Sequence, residues 1–320
     1  MTSIVADIGG TNARFAIATP TASGYALEAL RVVNCREFGG FDDALQHWLG
    51  ELEQPVPRRA CIACAGPVEK NDTGGKVYMT NLGWHIDAAG LRVRHGLAEV
   101  QLMNDFAALA LSLPLLGDKD FKVLRDAPRV EGATMAVLGP GTGLGVAGLI
   151  RADGRHHVVA GEGGHANLPV STERELQLLG ILLREQQPVF NEWILSGSGL
   201  VNLYRAVCEL NGHRAEALTP PDVSARGLEG TDPMCRETLI DFLNLLGATA
   251  GDVAAYFAAR GGIFLGGGIL PRIETLLPES EFEQRFLAKG RLRDWMLTVP
   301  VYTLNAGFQA LLGAAAQLDR

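Results

Sequence analysis

The chain has 320 residues, with 28 Lys+Arg against 36 Asp+Glu for a formal charge of −8, and is 47% apolar and 20% charged. That balance excludes a disordered polyelectrolyte, and it argues against a nucleic-acid or anionic-membrane surface, where Lys/Arg would have to cluster. At roughly 150 residues per domain the length points to about two domains, and 39 glycines beside only 15 prolines point to tight turns and close backbone approaches rather than a low-complexity linker.

From the N-terminus, Val5-Ala6-Asp7-Ile8-Gly9-Gly10-Thr11-Asn12-Ala13-Arg14-Phe15-Ala16-Ile17 reads as a strand, a Gly-Thr turn and a second strand. Neither a basic region nor a long apolar run opens the sequence, so no secretory leader is expected. Arg59 to Ala65 reads as a buried strand ending at Gly66-Pro67. Leu97 to Met103 is a further strand, and Asp105 to Leu113 a helix stopped by Pro114. The charged, Pro-interrupted stretch Gly117 to Gly132 reads as a linker. Ala136 to Gly148 then repeats the opening plan, Thr142 taking the place of Thr11, and one such repeat points to a duplicated domain rather than a solenoid. The run Met135 to Ile150, broken by Pro140 and glycines, is too short for a membrane span. Thr172-Glu173-Arg174-Glu175 has capping-box spacing and opens a helix to about Gln186. Leu239 to Ala259 reads as a long apolar helix, Gly262 to Leu265 as a strand running into Gly266-Gly267-Gly268, and Ala306 to Leu318 as a small-residue helix closing the chain. Strands alternating with helices predict an α/β fold of mainly parallel sheets covered by helices.

In the octet Asp7 to Arg14 the glycines remove Cβ atoms, so that backbone N–H groups can point at phosphate oxygens. Thr11 adds a hydroxyl, and Asp7 at the strand end can organise a hydrated Mg²⁺. Taken alone, the octet fits an ordinary hairpin with a Gly-Gly turn equally well; the second turn, Gly139 to Gly145, favours phosphate. That turn lacks the lysine of a Walker loop, and Leu144 stands where a dinucleotide fingerprint needs glycine. Two facing Gly-Thr hairpins clamping one polyphosphate remain. Gly266-Gly267-Gly268-Ile269 follows a strand and could lie flat against a planar ring, or be a plain strand-to-helix turn.

Asn104-Asp105 ends a strand and begins a helix. There the Asp105 carboxylate is stabilised as the anion and can accept a hydroxyl hydrogen bond, although a simple N-cap needs no function. Gly161-Glu162-Gly163-Gly164-His165 sets a carboxylate and an imidazole on a glycine-flanked turn suited to hydroxyl recognition, with a solvated loop as the plain alternative. Its single histidine does not make a His-Glu-x-x-His zinc helix. Glu192, after Asn191, signals nothing by itself. Cys61 and Cys64 are three apart in a strand and so face opposite sides, and no second pair completes a zinc site; they read as structural. Five sparse cysteines suit a reducing compartment, which predicts a soluble cytoplasmic protein.

With Met79-Thr80-Asn81-Leu82-Gly83-Trp84, Leu195-Ser196-Gly197-Ser198-Gly199-Leu200 and Gly266-Gly267-Gly268-Ile269-Leu270-Pro271-Arg272 added to the motifs above, the sequence resembles the bacterial ATP-dependent glucokinases. These form part of the hexokinase branch of the actin-like/sugar-kinase/chaperone superfamily. The resemblance implies a duplicated actin-like ATPase (ribonuclease H-like) fold. Its small α/β domain would span 1–110 plus 303–320 and its large one 111–302, with sugar bound in an interdomain cleft that it closes. It implies Asp105 as the base for the sugar 6-hydroxyl, and Asn104, Asp105, Glu162, His165 and Glu192 as ligands of the sugar. The nucleotide would be held by Ala6, Asp7, Ile8, Gly9, Gly10 and Thr11, by Gly141, Thr142 and Gly143, and by Gly267 and Gly268, with Asp7 on Mg²⁺ through water. Alanine stands at position 6 where relatives often have glycine, a departure of little consequence within a strand.

The related repressor/open-reading-frame/kinase family carries a zinc-binding cysteine cluster after its Gly-Glu-x-Gly-His; none follows His165, which disfavours that branch and its zinc. The implied activity is transfer of phosphate from ATP, with Mg²⁺, to the 6-hydroxyl of D-glucose, by a homodimer without nucleic-acid or membrane partners. A kinase for mannose or glucosamine, or a non-catalytic sugar-sensing regulator on the same fold, is the alternative. A DNA-reading regulator would need an N-terminal helix-turn-helix, yet a strand is expected by residue 4. The Asn104/Asp105/Glu162/His165 set counts against an actin-like ATPase or chaperone.

Overall fold

A computed structural model of the chain describes residues 1–69 and 71–320. Its strands are β1 (Ser3–Ile8), β2 (Asn12–Thr21), β3 (Gly24–Asn34), β4 (Arg59–Cys64), β5 (Lys76–Met79), β6 (Trp84–Asp87), β7 (Glu99–Asn104), β8 (Phe121–Arg125), β9 (Met135–Pro140), β10 (Leu144–Ala152), β11 (Arg155–Gly161), β12 (Gly262–Leu265) and β13 (Val301–Leu304). The helices are α1 (Phe41–Gly50), α2 (Ala88–His95), α3 (Asp105–Ser112), α4 (Glu173–Leu182), α5 (Asn191–Ile194), α6 (Gly197–Leu210), α7 (Pro220–Glu229), α8 (Pro233–Phe257), α9 (Leu270–Ile273), α10 (Phe282–Leu287), α11 (Arg293–Met296) and α12 (Gln309–Leu318). The chain divides into two compact units: Met1–Gly117 with Gly154–Ala160 and Gly307–Arg320, and Asp118–Asp153 with Gly161–Ala306.

In the first unit the sheet order is β3-β2-β1-β4-β7. β1 and β2 form an antiparallel hairpin, while β1, β4 and β7 run parallel. Strand β4 is buried along nearly its whole length, the near-continuous apolar run expected of a strand covered on both faces. In the second unit β10-β9-β12-β13-β8 follow the same plan. An antiparallel hairpin leads into the parallel strands β9, β12 and β13, and antiparallel β8 is added at the edge. The repeated motif in the sequence is thus a repeated topology. Both sheets are mixed rather than mainly parallel, because a strand returning through a short turn can only pair antiparallel.

Several boundaries differ from those read in the sequence. The stretch Gly117 to Gly132 is not a plain linker: it contains β8, which has no fully buried residue and carries Lys122, as suits an edge strand. Positions 110 and 111 lie within α3, and 302 and 303 within β13, which pairs with both β12 and β8. Helix α8 begins at Pro233, well before Leu239, because Asp232 accepts from the Met234 and Cys235 N–H groups and Pro233 fills the first helical position. The capping box at Thr172 and Glu175 is formed, but its helix ends at Leu182 rather than Gln186. Pro114 sits in a 3₁₀ turn after α3 rather than ending the helix outright, and the last helix starts at Gln309. No helix of the described residues is long and apolar enough to cross a membrane.

What holds α3 in the first unit is α12. A methyl group at Gly313 would overlap the Ala108 carbonyl oxygen, so the two helices meet at backbone distance. The chain end is clamped behind them: Arg59 Nε donates to Glu99 Oε2 (2.7 Å), its guanidinium also binds the Leu318 carbonyl and Asp319, and the Tyr25 hydroxyl donates to Asp319 Oδ2 (2.9 Å). In an exposed helix Gly→Ala would stabilise by about 1 kcal/mol. Here the overlap dominates, at about 1–3 kcal/mol or more. Gly313→Ala is therefore expected to melt several degrees below the wild type by scanning calorimetry, and an unchanged melting temperature would show that α12 can move off α3.

Candidate active site

The residue pairing Ile8–Cys64 and Cys64–Asn104 aligns the carboxyl ends of β1, β4 and β7, where open α/β sheets bind their ligands. Asp7, the turn Gly9 to Thr11, Gly66, Asn104 and Asp105 all lie at this edge. Within the turn the Gly9 N–H donates to Asn12 O (3.0 Å), and the Cys35 N–H donates to Thr11 O (2.8 Å), which leaves the Thr11 residue exposed. Asp7 and Arg14 are cross-strand partners, and Arg14 Nη1 donates to Asp7 Oδ2 at 2.9 Å. Burial nevertheless pushes the Asp7 carboxyl above the usual carboxylate range, against the pull of Arg14.

Asn104 is the N-cap of α3, accepting from the Ala107 N–H (3.0 Å), and its Nδ2 lies 3.5 Å from Gly66 O. Asp105 opens the helix, and its Oδ1 accepts from the Phe106 N–H (2.9 Å). The N-terminal field of α3 thus favours its anion. Beneath it, Cys61 and Cys64 are buried in β4. Burial, and then the Asp105 carboxylate, hold the Cys64 thiol protonated, so the pair is inert in the manner of core cysteines.

In the second unit the sites gather around the β9–β10 turn. The Gly141 N–H donates to Gly143 O (2.7 Å), closing the turn and leaving the Thr142 residue exposed. The Gly266–Gly268 loop lies on the same strand end: the Gly266 N–H donates to Leu138 O and the Ile269 N–H to Pro140 O. Gly267 has φ +83°, and a methyl there would strike the Pro140 carbonyl; only glycine provides both the conformation and the room. Glu162 and His165 are exposed at the loop after β11, where the His165 ring meets Phe190 edge-on at 5.2 Å. Glu192, on α5, is half-buried, and its Oε2 accepts from the Leu144 N–H (2.7 Å).

Of the sequence-predicted residues, Ala6 to Thr11, Asn104 and Asp105 share one strand edge in the first unit. Gly141 to Gly143, Glu162, His165, Glu192, Gly267 and Gly268 share one in the second. Two polar residues were missed. Arg14 was readable from the hairpin, since the turn puts it opposite Asp7. Asn191, which carries Glu192, has no local signal, because its partners lie far away in the chain.

The chain matches the family model for Glucokinase over residues 4–320. It is 37% identical over 318 residues to the glucokinase of Saccharophagus degradans, covering 99% of this chain and 98% of that protein. Identity to the glucokinase of Chromobacterium violaceum is 40% over 316 residues, covering 98% and 88%. The solved glucokinase of an Antarctic psychrotroph superposes with a TM-score of 0.90 at 37% identity, covering 99% and 98%.

Because folded Asp7 holds its proton more tightly than the unfolded chain does, its contribution to stability is greatest below the unfolded carboxylate pKa of about 3.9 and is lost as pH rises through the folded value. Asp7→Asn abolishes this titration, so its melting temperature relative to wild type should rise between pH 4 and pH 7. An offset equal at both values would mean that Asp7 is not the group paying for its burial.

Proposed function

The chain belongs to the glucokinase family and is an enzyme, an ATP-dependent glucose kinase of the actin-like ATPase fold, and we propose that Asp105 is its general base. The observation that carries this assignment is the place of Asp105 at the first position of α3, directly after the carboxyl end of β7, the parallel strand beside β4. A sugar hydroxyl is a very weak acid, so its oxygen becomes a useful nucleophile only as its proton leaves. Asp105 orients the 6-oxygen and takes that proton as the oxygen attacks the γ-phosphorus in line, while the bond to the β,γ-bridging oxygen breaks and ADP leaves. Asn104, Glu162, His165 and Glu192 hold the hydroxyls that do not react.

On this reading Ala6 to Thr11 and Gly141 to Gly143 cradle the phosphates, and Gly267 and Gly268 receive the nucleotide base. Positioning and charge stabilisation of this kind supply most of the acceleration in phosphoryl transfer. Mg²⁺ suits the residues present. The Arg14 bond engages Oδ2 of Asp7, and one carboxylate with waters and phosphate oxygens is how proteins usually hold this ion. When bound, it neutralises charge on the phosphates. The resemblance further supports a cytoplasmic homodimer, with glucose and ATP as its small-molecule substrates.

Purified protein with MgATP should form ADP in response to glucose above other hexoses in a coupled assay, and no sugar-dependent ADP would defeat the reading. Asp105→Ala should lower kcat by about 10²–10⁴-fold with a nearly unchanged glucose Kd, whereas Glu162→Ala should mainly raise the glucose KM. A variant at 105 that is folded by circular dichroism and keeps more than about a tenth of wild-type kcat, well short of that range, would mean that another group is the base.

A further inference from the structure

Helix α5 is a single turn, too short to persist without tertiary support, and its supports run to two different loops. Asn191 is buried. Its Nδ2 donates to Gly163 O (3.2 Å), its Oδ1 accepts from Thr249 Oγ1 (3.3 Å), and its backbone N–H donates to Ala166 O (2.9 Å). Asn191 therefore fixes both ends of the Gly163–Ala166 loop, one through its side-chain amide and the other through its backbone N–H. The next residue, Glu192, accepts from the Leu144 N–H at the end of the Gly141–Gly143 turn. A methyl at Gly143 would strike that carboxylate, and one at Gly164 would strike the Leu144 carbonyl and touch Glu192 Cβ. Just after the helix, the Gly197 N–H donates to Gly141 O (2.8 Å). The loop bearing Glu162 and His165 and the turn bearing Thr142 are thus packed at contact distance through two adjacent side chains.

We propose that Asn191 is a positioning residue which, with Glu192, couples the sugar loop to the nucleotide turn, so that each substrate raises the affinity for the other. The inference rests on the kinase reading above. Sugar held by Glu162, His165 and Glu192 orders the loop and, through the Asn191 amide and the Glu192–Leu144 bond, the turn. The nucleotide then meets a turn whose ordering cost has already been met. Linkage requires the same factor in both directions.

The test is calorimetric titration of the full chain with MgAMPPNP, with and without saturating D-glucose, and with D-glucose, with and without MgAMPPNP. Wild type should show mutual tightening by about fivefold or more, equal in the two directions. In Asn191→Ala the factor should fall below about twofold, while each ligand alone binds within about threefold of wild type; a purely structural role would instead weaken both ligands and leave the factor intact. Should that variant not fold, Thr249→Val, which removes the hydroxyl orienting the amide, is expected to lower the factor in the same way. An unchanged factor in the folded variant overturns the proposal, as does wild-type protein that binds both ligands independently. Wild-type protein that binds neither ligand overturns the kinase reading, and the coupling with it.

Discussion

The first unit depends on one close approach, Gly313 of α12 against the Ala108 carbonyl of α3. Helix axes can come this near only where a side chain is absent, and any larger residue must push one helix away. The consequence reaches the proposed base because α3 begins at Asp105. A shift of α3 moves that carboxylate relative to the ends of β1 and β4, and catalysis by positioning tolerates little such displacement. The clamp of Arg59, Tyr25 and Asp319 on the last residues keeps α12 seated, so the end of the chain supports a side chain two hundred residues earlier.

The second unit solves the same problem with polar contacts. Its parallel strands end at loops that pack backbone against backbone, as at Gly267 on Pro140, and the loops are then joined by Asn191 and Glu192. A buried amide with donor and acceptor both satisfied is directional, so it sets where a loop sits as well as holding it in place. Glycine supplies proximity in both units; what sets the position is a helix contact in one and a hydrogen-bonded side chain in the other.

Charge is placed at a cost to stability. Asp7 is held where burial raises its pKa despite Arg14, as expected of functional carboxylates rather than of stabilising ion pairs. Glu175 and Arg285 show the contrast: both are buried, they are paired through two hydrogen bonds, and Glu175 also accepts from the Ser171 and Thr172 N–H groups. That pair locks α4 to α10 and lies among structural helices.

Much of this was legible in the sequence. Gly262–Leu265 was readable to the residue as a strand, and the two Gly-Thr hairpins and the start of α4 were readable because steric limits, apolar runs and caps are local. The shared plan of the two sheets followed from the repeat around Thr11 and Thr142. The start of α8 was obscured because Asp232 and Pro233 lie outside its apolar run, and β8 because an edge strand can be charged and half-exposed. Only the tertiary structure decided that Glu192 holds the Leu144 N–H and that Gly313 admits no side chain. Each of these depends on which distant atoms arrive within a few ångströms, a quantity that packing sets and that no local pattern of residues encodes.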